Sequence, residues 1–172
     1  MFVFGYGSLM WDGWETEFGC TKTEEATLSG FRRDFNKASV QNWGSQQVPG
    51  PTLGLNASVG AECHGMAFEF PDTQRASVLD ELGRREGASF TLEEKEITLA
   101  SGTRVTAVVP INDPSRPTFI GDKSLEQRAR LARAARGDKG SCVDYVEGIR
   151  DKLRELSVQD STVERFARLV SE

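Results

Sequence analysis

The chain has 172 residues, and because domains contain about 150 residues this length favours one compact domain. Hydrophobic residues make up 38% and charged residues 27%, ordinary proportions for a globular protein with a buried core. Lys and Arg number 21 against 26 Asp and Glu, so the net charge of −5 argues against binding to nucleic acid or to an anionic membrane. No apolar run approaches the ~20 residues that span a bilayer. These counts favour a protein that handles a small molecule or another protein.

Histidine and cysteine usage restricts the chemistry further. The chain has one histidine, His64, which excludes a paired-histidine metal site, and the three cysteines form no closely spaced ligand pair. We therefore expect no metal. The odd, scattered cysteines and the absence of a signal peptide indicate reduced thiols in the cytoplasm. A nucleophilic pair of His64 with Cys63 or Cys142 has no supporting spacing, and we expect His64 to be structural.

The first two-thirds of the chain carry the patterns of strands and loops. Residues 2–6 form a short apolar run that stops at Gly-Tyr-Gly-Ser, and residues 42–51 have the Gly, Ser, Gln and Pro content of a loop. Alternation of apolar and polar residues predicts the remaining strands. They fall at residues 26–36, 53–59, 64–70, 97–99 and 105–111, the last two joined around Ser101-Gly102.

Helical patterns begin in the middle of the chain and dominate its last third. Asp72 and Thr73 offer N-cap chemistry for a helix that runs to about Leu82 and stops at Gly83. A β-rich body followed by helices indicates the fold class α+β, and no linker divides the chain, so we expect a single domain over residues 1–172. The three C-terminal helices are predicted at residues 124–136, 142–156 and 161–170, the last capped by Asp160-Ser161.

Four arginines on the first of these C-terminal helices raise the question of a phosphate-binding strip. They lie at mixed angles around the helix and have acidic neighbours in the sequence, so we interpret them as a solvated helix face. They are Arg128, Arg130, Arg133 and Arg136.

The run VFGYGSLMW at residues 3–11 is the most informative segment for function. An apolar strand leads directly into Gly5-Tyr6-Gly7-Ser8. Glycines let a ligand approach the backbone closely, and successive N–H groups form a concave donor set suited to a carboxylate or a developing oxyanion. From composition alone, an ordinary glycine turn is the alternative. The run is neither a dinucleotide-binding fingerprint nor a P-loop, because the third glycine and the Gly-Lys-Ser/Thr are missing.

A second candidate is the segment LDELGRREG at residues 79–87. Glu86 follows two arginines and precedes a glycine, so we predict that it lies where a helix gives way to a loop. A half-buried glutamate there can hydrogen-bond a ligand and act as a general base. The spacing alone favours the alternative, a surface salt-bridge cluster of Asp80, Glu81, Arg84 and Arg85.

Taken together, these segments resemble the ChaC-like γ-glutamylcyclotransferase family over nearly the whole chain. The resemblance implies a small β-barrel-like sheet flanked by helices, in agreement with the α+β prediction. The matching segments are VFGYGSLMW at 3–11, GFRRDF at 30–35, PGPTLGL at 49–55, GMAFEF at 65–70, LDELGRREG at 79–87 and YVEGIRDKLRELSVQD at 145–160.

The resemblance also implies an activity and a site. Members of the family cleave γ-glutamyl compounds, and the ChaC branch converts glutathione to 5-oxoproline and cysteinylglycine without a cofactor. Glu86 occupies the position of the catalytic acid/base, and Arg33 falls on a family position where we expect structural support. The resemblance places substrate binding at Val3, Gly5, Tyr6, Gly7, Ser8, Leu9 and Tyr145.

Three alternatives remain open from the sequence. In the first alternative, the substrate is a γ-glutamyl amino acid or a γ-glutamylamine instead of glutathione. Residues 87–90, Gly-Ala-Ser-Phe, bear on this choice because they depart from the Lys-Gly-Gly-Tyr-like loop common in the family. The protein is a catalytically idle relative that binds a small molecule. It is a thiol enzyme based on Cys63 and His64. For partners, we expect only a small-molecule substrate, with no nucleic acid and no membrane, and a monomer or a weak dimer.

Overall fold

The computed structural model describes the backbone of residues 1–172 and every side chain except that of Ala88. Its main feature is a closed five-stranded barrel with the strand order β1-β3-β2-β4-β5, which confirms the predicted α+β class and the barrel-like sheet. The strands are β1 (Phe2–Gly5), β2 (Lys22–Ser39), β3 (Gly50–Glu69), β4 (Phe90–Leu99) and β5 (Arg104–Asn112).

Strand β1 is short but is paired on both sides. Val3 lies opposite Phe68 of β3 in an antiparallel pair and opposite Val108 of β5 in a parallel pair. Consecutive side chains of a strand point to opposite faces, and both faces of β1 are buried, which explains why the run is almost continuously apolar. Val3 and Phe4 are fully buried.

Strand β3 merges two of the predicted strands. The sequence pattern placed an interruption between residues 59 and 64, but one strand runs through this region from Gly50 to Glu69. Gly60 sits inside it with a φ of +77°, a conformation that glycine adopts at little steric cost. The glycine is therefore a local irregularity within the strand, and the prediction of two strands was wrong.

Strands β4 and β5 form the predicted hairpin. Their register runs from Phe90 opposite Asn112 to Thr98 opposite Arg104, and Gly102 turns the chain with a φ of +83°. Strand β4 is longer than predicted because it includes the acidic stretch around Glu93, whose side chain points away from the core.

Helix α1 (Arg75–Glu86) extends past the predicted stop at Gly83. A Cβ on Gly83 would meet no atom within 4 Å, so this glycine lies on the open face of the helix. A glycine inside a helix costs only about 1 kcal/mol, and burial of Val78 and Leu82 outweighs that cost. The glycine that ends the helix is Gly87.

The chain divides into two compact units, residues 1–32 with 56–112 and residues 33–55 with 113–172. Whether they behave as the single domain predicted from the sequence stays a prediction. The first unit contains a hydrophobic core to which β1, β3, β5 and α1 contribute. Its buried members are Val3, Leu9, Trp14, Phe68, Phe70, Val78, Leu82 and Val108.

The second unit contains the three C-terminal helices. Ser124 and Ser141 each form a capping box at the start of a helix, and Asp160 caps the last one through its side chain. Phe35 stacks on Phe166 with ring centroids 4.0 Å apart. The sequence predictions are confirmed to within two residues: α2 is Leu125–Ala134, α3 is Cys142–Glu155 and α4 is Ser161–Ser171.

One arginine of α2 corrects the interpretation of a solvated face. Arg128 is 7% exposed, and its Nη1 donates to Asp34 Oδ1 at 2.7 Å and to the Phe35 carbonyl oxygen at 3.0 Å. It is a buried structural residue whose charge is balanced by the Asp34 carboxylate. Arg130 and Arg133 are exposed on α2, in agreement with the prediction, whereas Arg136 is exposed but lies beyond the end of the helix.

Among the described helices, none combines the length and the apolar character that a bilayer span requires.

Candidate active site

The glycine loop, residues 5–10, leaves the end of β1 and closes into a 3₁₀ turn over Ser8–Met10. The Met10 N–H donates to the Gly7 carbonyl at 3.0 Å, and the Trp11 N–H donates to the Ser8 carbonyl at 3.2 Å. In a 3₁₀ turn each N–H bonds three residues back, so the N–H groups of Ser8 and Leu9 precede the first bond of the turn and have no acceptor within it. These two groups are the candidate donors to an anionic ligand atom.

Backbone packing against β3 holds the start of this loop in place. A Cβ on Gly65 would lie 2.3 Å from the Gly5 carbonyl oxygen and 2.9 Å from the Phe4 ring. A Cβ on Gly5 would lie 3.0 Å from Leu9 Cβ. The two distances at Gly65 are too short for a side chain, so glycine there lets β3 approach β1 closely. The contact at Gly5 is tight and would require Leu9 to shift.

The side chains of the predicted substrate-binding residues are mostly buried. Val3 and Leu9 belong to the core of the first unit, so contact with a substrate would involve their backbone atoms. Tyr6 is 5% exposed, and its hydroxyl donates to the Pro110 carbonyl at 2.8 Å. Only Gly7 and Ser8 are half-buried. The substrate-binding roles of all these residues stay predictions.

Glu86 is the last residue of α1 and is half-buried, which confirms the prediction that it lies where a helix gives way to a loop. Gly87 follows with φ +64° and ψ −169°, a backbone region that is essentially restricted to glycine. A 3₁₀ turn over Gly87–Ser89 then leads into β4 at Phe90. Because the side chain of Ala88 lies outside the described structure, the effect of the 87–90 departure on substrate choice stays a prediction.

The first unit places the glycine loop and the helix that bears Glu86 on one core. Leu9 of the loop and Leu82 of α1, one turn before Glu86, belong to the same buried cluster, together with Val78. Apolar packing of this kind holds the helix against the loop. The chemistry-bearing segments, more than 70 residues apart in the chain, are therefore parts of one packed structure.

The ion pairs at the end of α1 differ in part from those of the predicted surface salt-bridge cluster. Arg84 pairs with Glu81 as predicted, with Nη2 and Oε1 2.6 Å apart. Arg85 instead pairs with Asp12, just beyond the glycine loop. Sequence reasoning missed Asp12 because local spacing carries no signal for a partner 73 positions away.

Tyr145 lies in the second unit, on α3. It is buried, its hydroxyl oxygen accepts a hydrogen bond from the Leu53 N–H at 3.1 Å, and its ring lies 5.3 Å from that of Trp43. This hydroxyl therefore has a structural contact, and the predicted role of Tyr145 in lining the substrate pocket stays a prediction. Arg33, also in this unit, pairs with Asp160, which confirms the structural support expected of it.

A family model described as ChaC-like protein matches residues 1–172. The chain belongs to this family. The glutathione-specific γ-glutamylcyclotransferase of Escherichia coli is 31% identical over 162 residues, which cover 93% of this chain and 68% of that protein. γ-Glutamylcyclotransferase 2-3 of Arabidopsis thaliana is 29% identical over 180 residues, 99% of this chain and 88% of that protein.

Solved structures support the fold of this ChaC-like protein. The crystal structure of the γ-glutamylcyclotransferase specific to glutathione from yeast superimposes with a TM-score of 0.87, at 19% identity, over 99% of this chain and 95% of that chain. The predicted family, fold and enzyme class, a γ-glutamylcyclotransferase with a small-molecule substrate, are thus confirmed.

The cysteines of the ChaC-like protein do not favour a thiol enzyme. Cys63 is buried, whereas the next residue, His64, is on the opposite face of β3, where its Nδ1 lies 3.0 Å from Thr27 Oγ1. Burial raises the pKa of the Cys142 thiol to about 12, and this thiol donates to the Pro51 carbonyl. A nucleophilic cysteine needs a lowered pKa, so burial makes Cys142 inert.

Proposed function

We propose that this ChaC-like protein cleaves the γ-glutamyl group of glutathione by intramolecular cyclisation, releasing 5-oxoproline and cysteinylglycine. The observation that carries the proposal is the arrangement of the first unit: a half-buried glutamate ends a helix that shares its core with the glycine loop. Glutathione is favoured because the Escherichia coli relative is named glutathione-specific.

The reaction needs no nucleophile from the protein. The α-amine of the substrate attacks its own γ-carbonyl carbon, a C–N bond closes the five-membered ring, and the amide bond to the cysteinyl nitrogen breaks. The α-ammonium nitrogen must lose one proton before it attacks and a second once the ring C–N bond has formed. The departing nitrogen must gain one proton as the amide bond breaks, and the other proton passes to solvent or to the released amine. A single carboxylate can accept a proton from the α-amine and then deliver it to the departing nitrogen, and we assign this general acid/base role to Glu86.

The glycine loop has the properties needed to stabilise charge in the transition state. As the amine attacks, negative charge develops on the γ-carbonyl oxygen. The N–H groups of Ser8 and Leu9 have no acceptor within their own turn and are fixed in place by that turn. Fixed donors stabilise a developing oxyanion more effectively than mobile water does. We assign them to this oxygen or to the substrate α-carboxylate.

Positioning supplies the remaining rate acceleration. Free glutathione is extended and flexible, and its amine rarely approaches the γ-carbonyl. If the protein binds the γ-glutamyl arm in a folded conformation, the amine of the bound substrate stays close to the γ-carbonyl carbon. We assign the backbone of residues 5–9 to this task, because Val3 and Leu9 present no accessible side chain.

The proposal is tested by incubating the purified protein with reduced glutathione and measuring 5-oxoproline and cysteinylglycine together. We expect equal amounts of both, and a kcat lower by about 10²–10⁴-fold in Glu86→Gln. Glu94→Gln, the same substitution at an exposed ion pair on β4, is the matched control and should keep wild-type kcat.

Circular dichroism and melting temperature should be the same in both variants and the wild type. Full turnover in Glu86→Gln overturns the catalytic assignment. Absence of both products overturns glutathione as substrate, and γ-glutamyl amino acids and γ-glutamylamines are then assayed in the same way; failure of all three classes overturns the proposed activity.

A further inference from the structure

Two ion pairs of very different character lie side by side on the last turns of α1. Arg85 donates from Nη2 to Oδ2 of Asp12, and the two side chains are 14% and 20% exposed. Arg84, the preceding residue, is 74% exposed and pairs with Glu81 on the same helix. Fully exposed pairs stabilise a protein by at most about 1 kcal/mol, and the half-buried side chains of the Arg85–Asp12 pair are better shielded from solvent than those of the Arg84–Glu81 pair.

Arg85 has a second partner in the same segment as Asp12. The centre of its guanidinium lies 5.9 Å from the ring centroid of Trp14, a cation–π geometry. Trp14 is buried, and its ring packs against Phe68 at 5.7 Å and Phe70 at 5.4 Å. The guanidinium is thus held between a carboxylate and an aromatic ring that is itself fixed in the core.

This contact joins the two parts of the proposed site. On one side, the Asp12 N–H donates to the Ser8 carbonyl oxygen at 3.3 Å, so Asp12 is tied to the 3₁₀ turn of the glycine loop. On the other side, Arg85 is the residue immediately before Glu86. The pair therefore connects the candidate oxyanion donors with the candidate acid/base through residues 73 positions apart.

The end of α1 needs an anchor of its own. The last turn of a helix lacks partners for its final carbonyl groups and tends to fray, and the glycine-only conformation of Gly87 ends the helix directly after Glu86. Val78 and Leu82 fix only the earlier turns. A displacement of about 1 Å at a catalytic group can lower the rate by ~10²-fold. Fraying of the last turn of α1 would therefore lower the rate of cyclisation.

We propose that Asp12 is a positioning residue for the cyclisation: with Arg85 it holds the last turn of α1, and therefore the Glu86 carboxylate, in a fixed relation to the glycine loop. The proposal rests on the proposed function of Glu86. Asp12 and Arg85 do not touch the reacting atoms and act only through the backbone of the turn that they join.

The test compares the Arg85–Asp12 pair with the neighbouring Arg84–Glu81 pair. In Asp12→Asn, which keeps the volume and removes the charge, we expect kcat for 5-oxoproline release from glutathione to fall by about 10–100-fold, with little change in KM. Arg85→Gln should lose a similar amount, and the double variant should lose no more than either single one, because both remove the same contact. Arg84→Gln and Glu81→Gln are the controls and should keep wild-type kcat.

Two further variants distinguish a positioning role of the Asp12–Arg85 pair from a role in folding alone. Exchange of the two charges, Asp12→Arg with Arg85→Asp, should regain part of the lost kcat if the pair positions Glu86. Arg85→Lys, which keeps the charge but loses the planar fork, is the milder variant if the others fold poorly, and should lower kcat several-fold at an unchanged melting temperature.

The inference is overturned by a wild-type kcat in Asp12→Asn or Arg85→Lys, whatever the melting temperature, or by fully additive losses in the double variant. These results leave the proposed function intact, because wild-type protein then still cyclises glutathione and Glu86→Gln still does not. Inactivity of the wild type towards every γ-glutamyl compound overturns the proposed function and this inference with it.

Discussion

Arg33 and Asp160 form an ion pair that also builds the start of a helix. Arg33 Nη1 donates to Asp160 Oδ2 at 3.1 Å, while Asp160 Oδ1 accepts from the N–H groups of Thr162 and Val163 at 3.0 and 3.1 Å. The Arg33 side chain is 1% exposed and that of Asp160 is 16% exposed. One carboxylate thus balances a buried cation on β2 and caps α4.

Asp160→Ala should therefore destabilise the protein strongly. It removes the N-cap, worth about 1 kcal/mol, and leaves the buried Arg33 without its carboxylate, a loss of ~3–5 kcal/mol. Asp160→Ser keeps cap chemistry and removes only the charge, so its free energy of unfolding should fall between those of Asp160→Ala and the wild type. Urea unfolding measures all three.

Glu155→Ala is the control for this pair, because it breaks an exposed contact with Lys152 and should change the free energy of unfolding by less than about 1 kcal/mol. An Asp160→Ala variant as stable as this control would show that the pair does not hold α4.

Two glycine-to-alanine substitutions should have opposite effects. In Gly65→Ala the new methyl group would meet the Gly5 carbonyl oxygen at 2.3 Å, so β3 must move away from the start of the glycine loop. We expect lower stability, by about 1–3 kcal/mol, and lower activity. In Gly83→Ala the methyl group meets nothing within 4 Å on a helix, and stability should rise by about 0.5–1 kcal/mol.

Thermal unfolding and 5-oxoproline release, measured on both glycine variants, check this expectation. Gly83→Ala keeps activity if α1 is a rigid support. A Gly65→Ala protein with normal stability and activity would contradict the close approach of β1 and β3.

Tyr145→Phe separates a structural role of this residue from a role in binding substrate. The substitution removes the acceptor of the buried Leu53 N–H, which should cost about 1–3 kcal/mol, while the ring contact with Trp43 remains. If the hydroxyl also binds substrate, KM for glutathione should rise as well. Unchanged KM with reduced stability assigns Tyr145 to the fold alone; unchanged stability would contradict the hydrogen bond to Leu53.

Thiol alkylation should leave the activity intact. Burial raises the pKa of Cys142 to about 12, so at pH 8 this thiol is almost wholly protonated and reacts slowly; raising the pH towards 12 increases the thiolate fraction. Cys63 is buried. Iodoacetamide on the native protein should therefore label Cys20, the partly exposed cysteine, as mass spectrometry of peptides would show. Loss of activity in step with labelling of any one cysteine would contradict a glutamate-dependent reaction.

The main helix signals were readable because they are local. The Asp160-Ser161 pair predicted the start of the last helix, and the Asp160 side chain caps α4 there. Ser124 and Ser141 cap α2 and α3 in a similar way. A cap side chain bonds an N–H only two or three residues away, so short-range sequence carries the information. The predicted helix end at Gly83 was wrong for a related reason. The local pattern does not show that Leu82 is buried, and this burial stabilises the helix enough for it to continue past the glycine.

The sequence by itself determined the α+β class, the position of Glu86 at the end of a helix and, through its motifs, the family. Tertiary structure alone decided that Arg85 pairs with Asp12, that Arg128 is buried against Asp34, and that the Tyr6 hydroxyl bonds Pro110. Each of these contacts joins residues more than 70 positions apart. Which partner a charged or polar group meets depends on how strands and helices pack, and periodicity along the chain does not encode that choice.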